Sequence, residues 1–352
     1  MKKQFIFFLM VFLGLACANA QDTLKVEAKP TDREVSKRLY NESLELYRTG
    51  NSEMAMQMLG KSIDKDATFT ESYLLKARIQ YERHDYPATE NTLKTYLASG
   101  GTRAMDTVWF LFAKMYSETS KVAEEKDALN KCIELNPAYG EAYYTRGIID
   151  FEQGDYEVAL ADMTRAIDNG YATAPAYNDR GSCQRMLGNY DAAIDDYTRA
   201  IEREGKAMYY CNRASMHAKV GQNENAISDY TQAIVTDGQY YKAYNGRGVV
   251  KANQEKYEDA ISDFTVCLDI EPGYTSALSN RGIAYYKIHE YTKSVDDLDA
   301  AIRAEPHNGN TYMYRGNVKE MMRDKQGALD DWKKASSLGI KTADKYFKDN
   351  CN

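Results

Sequence analysis

Arginine and aspartate recur in step along this chain. Arg146, Arg180, Arg213, Arg247, Arg281 and Arg315 are each followed sixteen residues later by Asp162, Asp196, Asp229, Asp263, Asp297 and Asp331. Such a set could present a ladder of charge to an acidic or basic ligand, or it could pair internally, within one structural unit or between neighbours. The partners recur together sixfold and lie beside an apolar stripe, so they are read as structural ion pairs. Partial burial costs each charge its hydration, so pairs of this kind fix register more surely than they add stability. Other chemistry is hard to place. There is no Gly-x-x-x-x-Gly-Lys-Ser/Thr loop, no Gly-x-Ser-x-Gly elbow, no His-Glu-x-x-His and no close Cys-x-x-Cys. His84, His217, His289 and His307 lie far apart and at unlike places of the repeat described next, and read as turn or surface residues. No catalytic residue, metal site or cofactor is expected.

Residues that recur this way need elements of the same period to position them. Segments starting at Gly140, Ala174, Ala207, Tyr241, Thr275 and Gly309 carry the same residue types in the same places, at spacings of 34, 33, 34, 34 and 34 residues. An aromatic or Leu comes fourth (Tyr143, Tyr177, Tyr210, Tyr244, Leu278, Tyr312), and Gly or Ala comes eighth (Gly147, Gly181, Ala214, Gly248, Gly282, Gly316). After a turn near Gly154-Asp155-Tyr156, Gly188-Asn189-Tyr190 and Gly221-Gln222-Asn223, small residues stand twentieth and twenty-seventh, as at Ala159 and Ala166. Between them sits a large knob: Met163, Tyr197, Tyr230, Phe264, Leu298 or Trp332. Spacings of three and four put these on one helix face, where small residues let the neighbouring helix come close. Each unit is a helical hairpin that cannot bury its own face and must stack on the next.

At these residues the chain resembles the tetratricopeptide repeat family, with Pro137, Pro272 and Pro306 at that family's late proline place. The phase continues upstream with departures. A unit from about Asp106 keeps Trp109, Ala113, Leu129 and Cys132 but has Glu125 for the usual Ala. One from about Thr70 keeps Tyr73, Ala77 and Leu93 but has Thr89 and Tyr96 where small residues belong. The first, from about Ser36, keeps Leu39, Ser43, Gly50, Ala55, Leu59 and Ser62, and a two-residue insertion falls around Ser99-Gly100-Gly101. The resemblance implies an all-α fold, a right-handed α-solenoid of about nine helix-turn-helix repeats: three divergent ones over 36–139, six clear ones over 140–341 and a short C-terminal capping helix over 342–352.

It also implies a binding mode. In that family the first helices of successive repeats line a concave groove. Carried over place by place, the groove holds Tyr144, Ile148, Phe151, Asn178, Ser182, Arg185, Cys211, Ser215, Lys219, Asn245, Val249 and Asn253, then Ser279, Ile283, Tyr286, Met313, Asn317 and Glu320. Amide, hydroxyl and aromatic groups suit an extended peptide, whose backbone needs hydrogen bonds and whose side chains need apolar pockets. The Lys/Asn arrangement with which some members clamp a C-terminal carboxylate is absent, since the ninth place carries Asn only at Asn317.

The rest of the chain sets limits. With 45 basic against 52 acidic residues and no basic stripe, nucleic acid is not expected as a partner. Lys2 and Lys3 precede an apolar run from Phe5 to Ala16, and Ala18-Asn19-Ala20 has the form that signal peptidase cuts. Residues 1–20 are read as a cleaved export signal. Leu15-Ala16-Cys17 offers a second reading, a lipoprotein cleaved before Cys17, but Gly14 stands where that motif carries Leu. No other stretch approaches the ~20 apolar residues of a transmembrane segment. Residues 21–35 are polar, contain Pro30 and read as a flexible tether. Of the cysteines left after cleavage, Cys132 and Cys267 hold small-residue places and behave as packing residues; Cys183, Cys211 and Cys351 are open between packing and thiol chemistry. The expectation is a non-catalytic scaffold or adaptor of the bacterial cell envelope, periplasmic or outer-membrane-associated, that binds a protein or peptide in the groove. The alternatives are a self-associating structural component of an envelope assembly, and an accessory subunit regulating an enzyme or carrying a small ligand, which needs a closed apolar pocket.

Overall fold

The structure is a computed structural model that describes residues 30–350. The export signal, Cys17, most of the tether and Cys351 lie outside these residues. Where the sequence predicts one continuous array, the chain divides between Gly101 and Thr102 into two compact units. Nineteen helices and no strand occur among the described residues.

In the first unit, α1 (Asp32–Arg48) pairs with α2 (Ser52–Lys65), and α3 (Glu71–Glu82) with α4 (Tyr86–Ala98). Helix α1 starts inside the segment expected to be tether. Thr31 and Glu34 form a capping box, each side chain bonding the other's backbone N–H, and this starts the helix four residues before Ser36. Small places filled by serine form a buried hydroxyl chain: Ser62 lies 2.8 Å from both Ser36 and Ser72, joining α1, α2 and α3. Tyr96, in place of a small residue, is fully buried. Its ring explains the second inserted glycine, because a Cβ on Gly101 would come 2.4 Å from it, whereas Gly100 supplies a left-handed backbone with φ of 77°.

In the second unit the hairpins are α5 (Met105–Glu118) with α6 (Val122–Leu135), α7 (Gly140–Gln153) with α8 (Tyr156–Asp168), and α9 (Ala174–Met186) with α10 (Tyr190–Arg203). Next come α11 (Ala207–Lys219) with α12 (Asn223–Thr236), and α13 (Tyr241–Asn253) with α14 (Tyr257–Ile270). The last are α15 (Thr275–Lys287) with α16 (Tyr291–Ala304), and α17 (Gly309–Met321) with α18 (Lys325–Ser337). Each second helix also packs on the next hairpin's first, which is what makes the unit an α-solenoid. The knobs are buried, and glycine at the eighth place makes room for them. A Cβ on Gly248 would lie 2.6 Å from Phe264, and one on Gly316 2.7 Å from Trp332.

One backbone feature is shared by all nine hairpins. The fifteenth residue of each takes a left-handed conformation to turn the chain. Glycine supplies it at Gly50, Gly154, Gly188 and Gly221; His84, Ser120, Glu255, His289 and Arg323 supply it elsewhere. His84 and His289 therefore share one place in the repeat, against the sequence reading that put the histidines at unlike places. The helix α19 (Lys341–Asn350) packs on α18, with Ala343 buried and Tyr346 stacked 5.5 Å from Trp332. Stacking a second copy on this end would have to displace it.

A candidate partner-binding face on the first helices

The arginines and aspartates are framework. Each Arg grips its Asp through both Nε and Nη2, at 2.6 and 2.9 Å for Arg146–Asp162 and 2.8 and 2.6 Å for Arg180–Asp196. The pairs Arg213–Asp229, Arg247–Asp263, Arg281–Asp297 and Arg315–Asp331 repeat that geometry. Five of the arginines reach back with Nη1 to the preceding hairpin, onto Asn130, Thr198, Thr231, Thr265 or Asp299. The pair thus ties first helix to second within a repeat and repeat to repeat. The aspartate hydrogen bonds raise the Arg146, Arg180, Arg213, Arg281 and Arg315 guanidinium groups further above their ordinary range.

One joint departs from the pattern. At the eleventh place, where Lys251 and Lys319 bond their own repeat's aspartate at 2.8 and 2.9 Å, the fourth hairpin carries Asp150. Asp150 is almost wholly buried and takes its countercharge from Lys126 of the hairpin before, at 2.5 Å.

The residues carried over to the groove divide into three groups. Three of those at the fifth place, Tyr144, Asn178 and Asn245, bond the sixth place of the next repeat, while Ser279 lies 3.4 Å from Thr311. Tyr144 donates to Asp179 at 2.7 Å, Asn212 to Asn178 at 2.8 Å and Asn280 to Asn245 at 3.1 Å. Burial, and then that carboxylate, push the Tyr144 hydroxyl well above the ordinary tyrosine range. Asn178 is buried rather than presented. Those at the ninth place face the knob of their own hairpin: Ser182 lies 3.2 Å from the Tyr197 hydroxyl, Ser215 bonds Tyr230, Asn317 accepts from Trp332, and Ile148 packs with Phe151 on Met163. Arg185 and Lys219 are exposed, Asn253 is exposed, and Tyr286 is half-buried with its ring 6.3 Å from Tyr291.

Five of the expected residues, Asn245, Val249, Asn253, Ser279 and Ile283, line open depressions on the first-helix face. One, of about 580 Å3, is bounded by Asn245 on α13, Thr275, Ser279 and Asn280 on α15, and Asn308 and Thr311 at the start of α17. The other, of about 380 Å3, is bounded by Val249, Ala252 and Asn253 on α13, and Ala284 and Lys287 on α15. Asn280, Ile283 and Tyr314 belong to both, so the two run together. Asn280 and Tyr314 were not anticipated. They hold the sixth place, which carries Asp179 and Asn212 in earlier repeats, and that polar recurrence was the available signal.

The four cysteines among the described residues are packing residues. Cys132, Cys183, Cys211 and Cys267 are unpaired, and burial pushes the first three thiols up to about 12 and the fourth to about 11. No group of three His, Cys, Asp or Glu side chains among the described residues could hold a metal ion. No described helix is long and apolar enough to cross a membrane.

Residues 144–207 match one tetratricopeptide repeat model, and residues 106–139 and 207–237 match another. The fold is similar to that of a tetratricopeptide repeat protein from Parabacteroides merdae, 17% identical, with a TM-score of 0.57 over 70% of this chain and 99% of that one. It is also similar to Pseudomonas aeruginosa pilF, 16% identical, with a TM-score of 0.53 over 60% of this chain and 97% of the other. The C-terminal part of a repeat protein from Cytophaga hutchinsonii is 20% identical, with a TM-score of 0.52 over 66% and 97%. These likenesses concern the fold alone. No curated protein sequence matches significantly.

Proposed function

We propose that this chain, which belongs to the tetratricopeptide repeat family, is a non-catalytic scaffold of the bacterial cell envelope that holds a partner protein or peptide against its first-helix face. The observation that carries the reading is the pair of depressions across α13, α15 and α17 that share Asn280, Ile283 and Tyr314, where amide and hydroxyl side chains line open space beside Ile283 while Asn280 and Asn245 also bond each other. Hydrogen-bonding groups flanking an apolar floor suit a segment of polypeptide. Export rests on the character of residues 1–20, a basic start, an apolar run and a small-residue cleavage site.

Site-specific photocrosslinking tests the face. A photoreactive residue at Asn253 or Lys287 should capture a partner in envelope preparations, and one at Ala161 or Asp195, exposed on second helices, should not. The opposite pattern would move binding to the second-helix face and end the reading. N-terminal sequencing of the protein recovered from fractionated cells tests the compartment. A start at Gln21 supports a cleaved signal, a lipid-modified Cys17 makes the protein a lipoprotein, and recovery of the intact chain from the cytoplasm removes the envelope from the proposal.

A further inference from the structure

We infer that the depression beside the end of α13 is a seat for one aromatic side chain of the partner, a ring that other hairpins supply for themselves and the seventh does not. The inference rests on the scaffold reading and names the group by which the partner is held.

Tyrosine stands at the seventeenth place of five hairpins, as Tyr86, Tyr156, Tyr190, Tyr257 and Tyr291. In three of them a ring at the twelfth place packs against it: Tyr81 on Tyr86 with centroids 6.0 Å apart, Phe151 on Tyr156 at 5.4 Å and Tyr286 on Tyr291 at 6.3 Å. The fifth hairpin has Arg185 there, whose side chain bonds the Tyr197 hydroxyl. The seventh has Ala252, so Tyr257 receives no ring from the twelfth place.

The surroundings of the two places match residue by residue. Phe151 packs with Ile148 of its own helix, the knob Met163 and Cys183 of the next hairpin. Ala252 packs with Val249, the knob Phe264 and Ala284, which hold those same three places. What the fourth hairpin fills with a benzyl group, the seventh leaves as open space. That space is the depression of about 380 Å3, lined by these residues together with Tyr257 and Ile283, and Asn253 and Lys287 stand exposed at its rim. A ring entering it is taken out of water, and against Tyr257 it gains the edge or offset contact that aromatic pairs prefer. The depression is open to solvent, which suits a side chain presented by a partner more than a free small molecule.

Methyl NMR of the mature chain with p-cresol, the isolated tyrosine side chain, reads the seat directly. It should shift the Val249, Ala252 and Ile283 methyl signals saturably, with a dissociation constant on the order of millimolar for a group of this size. Isoamyl alcohol, with the shape of a leucine side chain, should bind about fivefold more weakly. Ala252→Phe puts back the missing ring and should abolish the shifts, with the melting temperature unchanged or raised. Phe151→Ala should open a second seat, seen as p-cresol shifts at Ile148. The absence of saturable shifts, equal binding of isoamyl alcohol, shifts at Val249 that survive Ala252→Phe, or a Phe151→Ala variant that gains no second seat would each overturn the inference. The photoreactive residue at Lys287 then reads the partner. Capture by the wild type that Ala252→Phe abolishes supports the aromatic anchor; capture that Ala252→Phe leaves unchanged overturns it and leaves the scaffold reading standing. A protein that captures nothing from either Asn253 or Lys287 loses the face, and the anchor with it.

Discussion

The Trp332 indole donates a 2.9 Å hydrogen bond to the side-chain oxygen of Asn317, fifteen residues earlier in the same hairpin. The same two places hold Ser182 with Tyr197 and Ser215 with Tyr230, again polar group to polar tip. Where the knob is Met163, Phe264 or Leu298, the ninth place is Ile148, Val249 or Ile283. The knob's chemistry thus dictates its partner's: a buried donor left unmade costs more than the bond gains, so polar tips require polar neighbours and apolar knobs do not.

A double-mutant cycle on the Asn317–Trp332 pair measures this. Asn317→Leu strands the indole N–H and should cost about 1–3 kcal/mol. Trp332→Phe should cost a similar amount in lost volume and lost bond. The double variant should be more stable than the sum of the two by about 1 kcal/mol, because each single change leaves the other group unpaired. Urea unfolding reads all four corners; additive costs would show that the bond contributes nothing.

Asp229 tests the ion-pair framework. Its carboxylate is buried and holds both Nε and Nη2 of Arg213, whose Nη1 reaches Thr198 of the repeat before. Asp229→Ala leaves a half-buried guanidinium without its partner and should cost about 3 kcal/mol. In a solenoid that loss uncouples neighbours, so the transition should also broaden. Partner capture by the folded variant should stay as in the wild type. A variant that melts normally but loses its partner would make Asp229 a ligand group.

The repeat period, the packing stripe and the helix starts at Gly140, Ala174, Ala207, Tyr241, Thr275 and Gly309 were legible in the sequence because packing dictates one residue type at each place. The candidate face was legible only in part. A family rule about which places line a groove carries no information about whether a given side chain is already spoken for. Tyr144 and Asn178 are spent on the next repeat, Ser182 and Asn317 on their own knobs, and only the hydrogen bonds show it. The start of α1 was missed for a local reason, since the Thr31–Glu34 capping box lies beyond the reach of the packing stripe.

Glu125 makes a pH-dependent prediction. It fills a small-residue place, is buried, and its carboxyl is raised above the ordinary 4.5, chiefly by loss of hydration. A raised carboxyl in the folded state means that the unfolded chain ionises first. No penalty exists below about 4.5; it grows as pH rises through the folded value and is constant above it. Glu125→Gln should therefore raise the melting temperature at pH 7, and the gain should vanish as the pH is lowered to 4. A gain independent of pH would trace the effect to packing instead.

The shared turn place gives the last test. Arg323 holds a left-handed backbone with φ of 64°, a conformation that costs a residue with a Cβ about 1–2 kcal/mol and glycine almost nothing. Its side chain is exposed, so Arg323→Gly should stabilise the protein by about 1 kcal/mol after the entropy that glycine adds to the unfolded chain. His289 occupies the same place with φ of 65°, but its Nδ1 lies 2.9 Å from the Tyr291 hydroxyl. His289→Gly removes strain and a hydrogen bond together and should be close to neutral, while the reverse change Gly188→Ala, at φ of 81°, should destabilise by about 1 kcal/mol. Chemical denaturation of the three variants orders them. If Arg323→Gly destabilises, the left-handed turn is held by contacts of the arginine side chain and the strain argument fails.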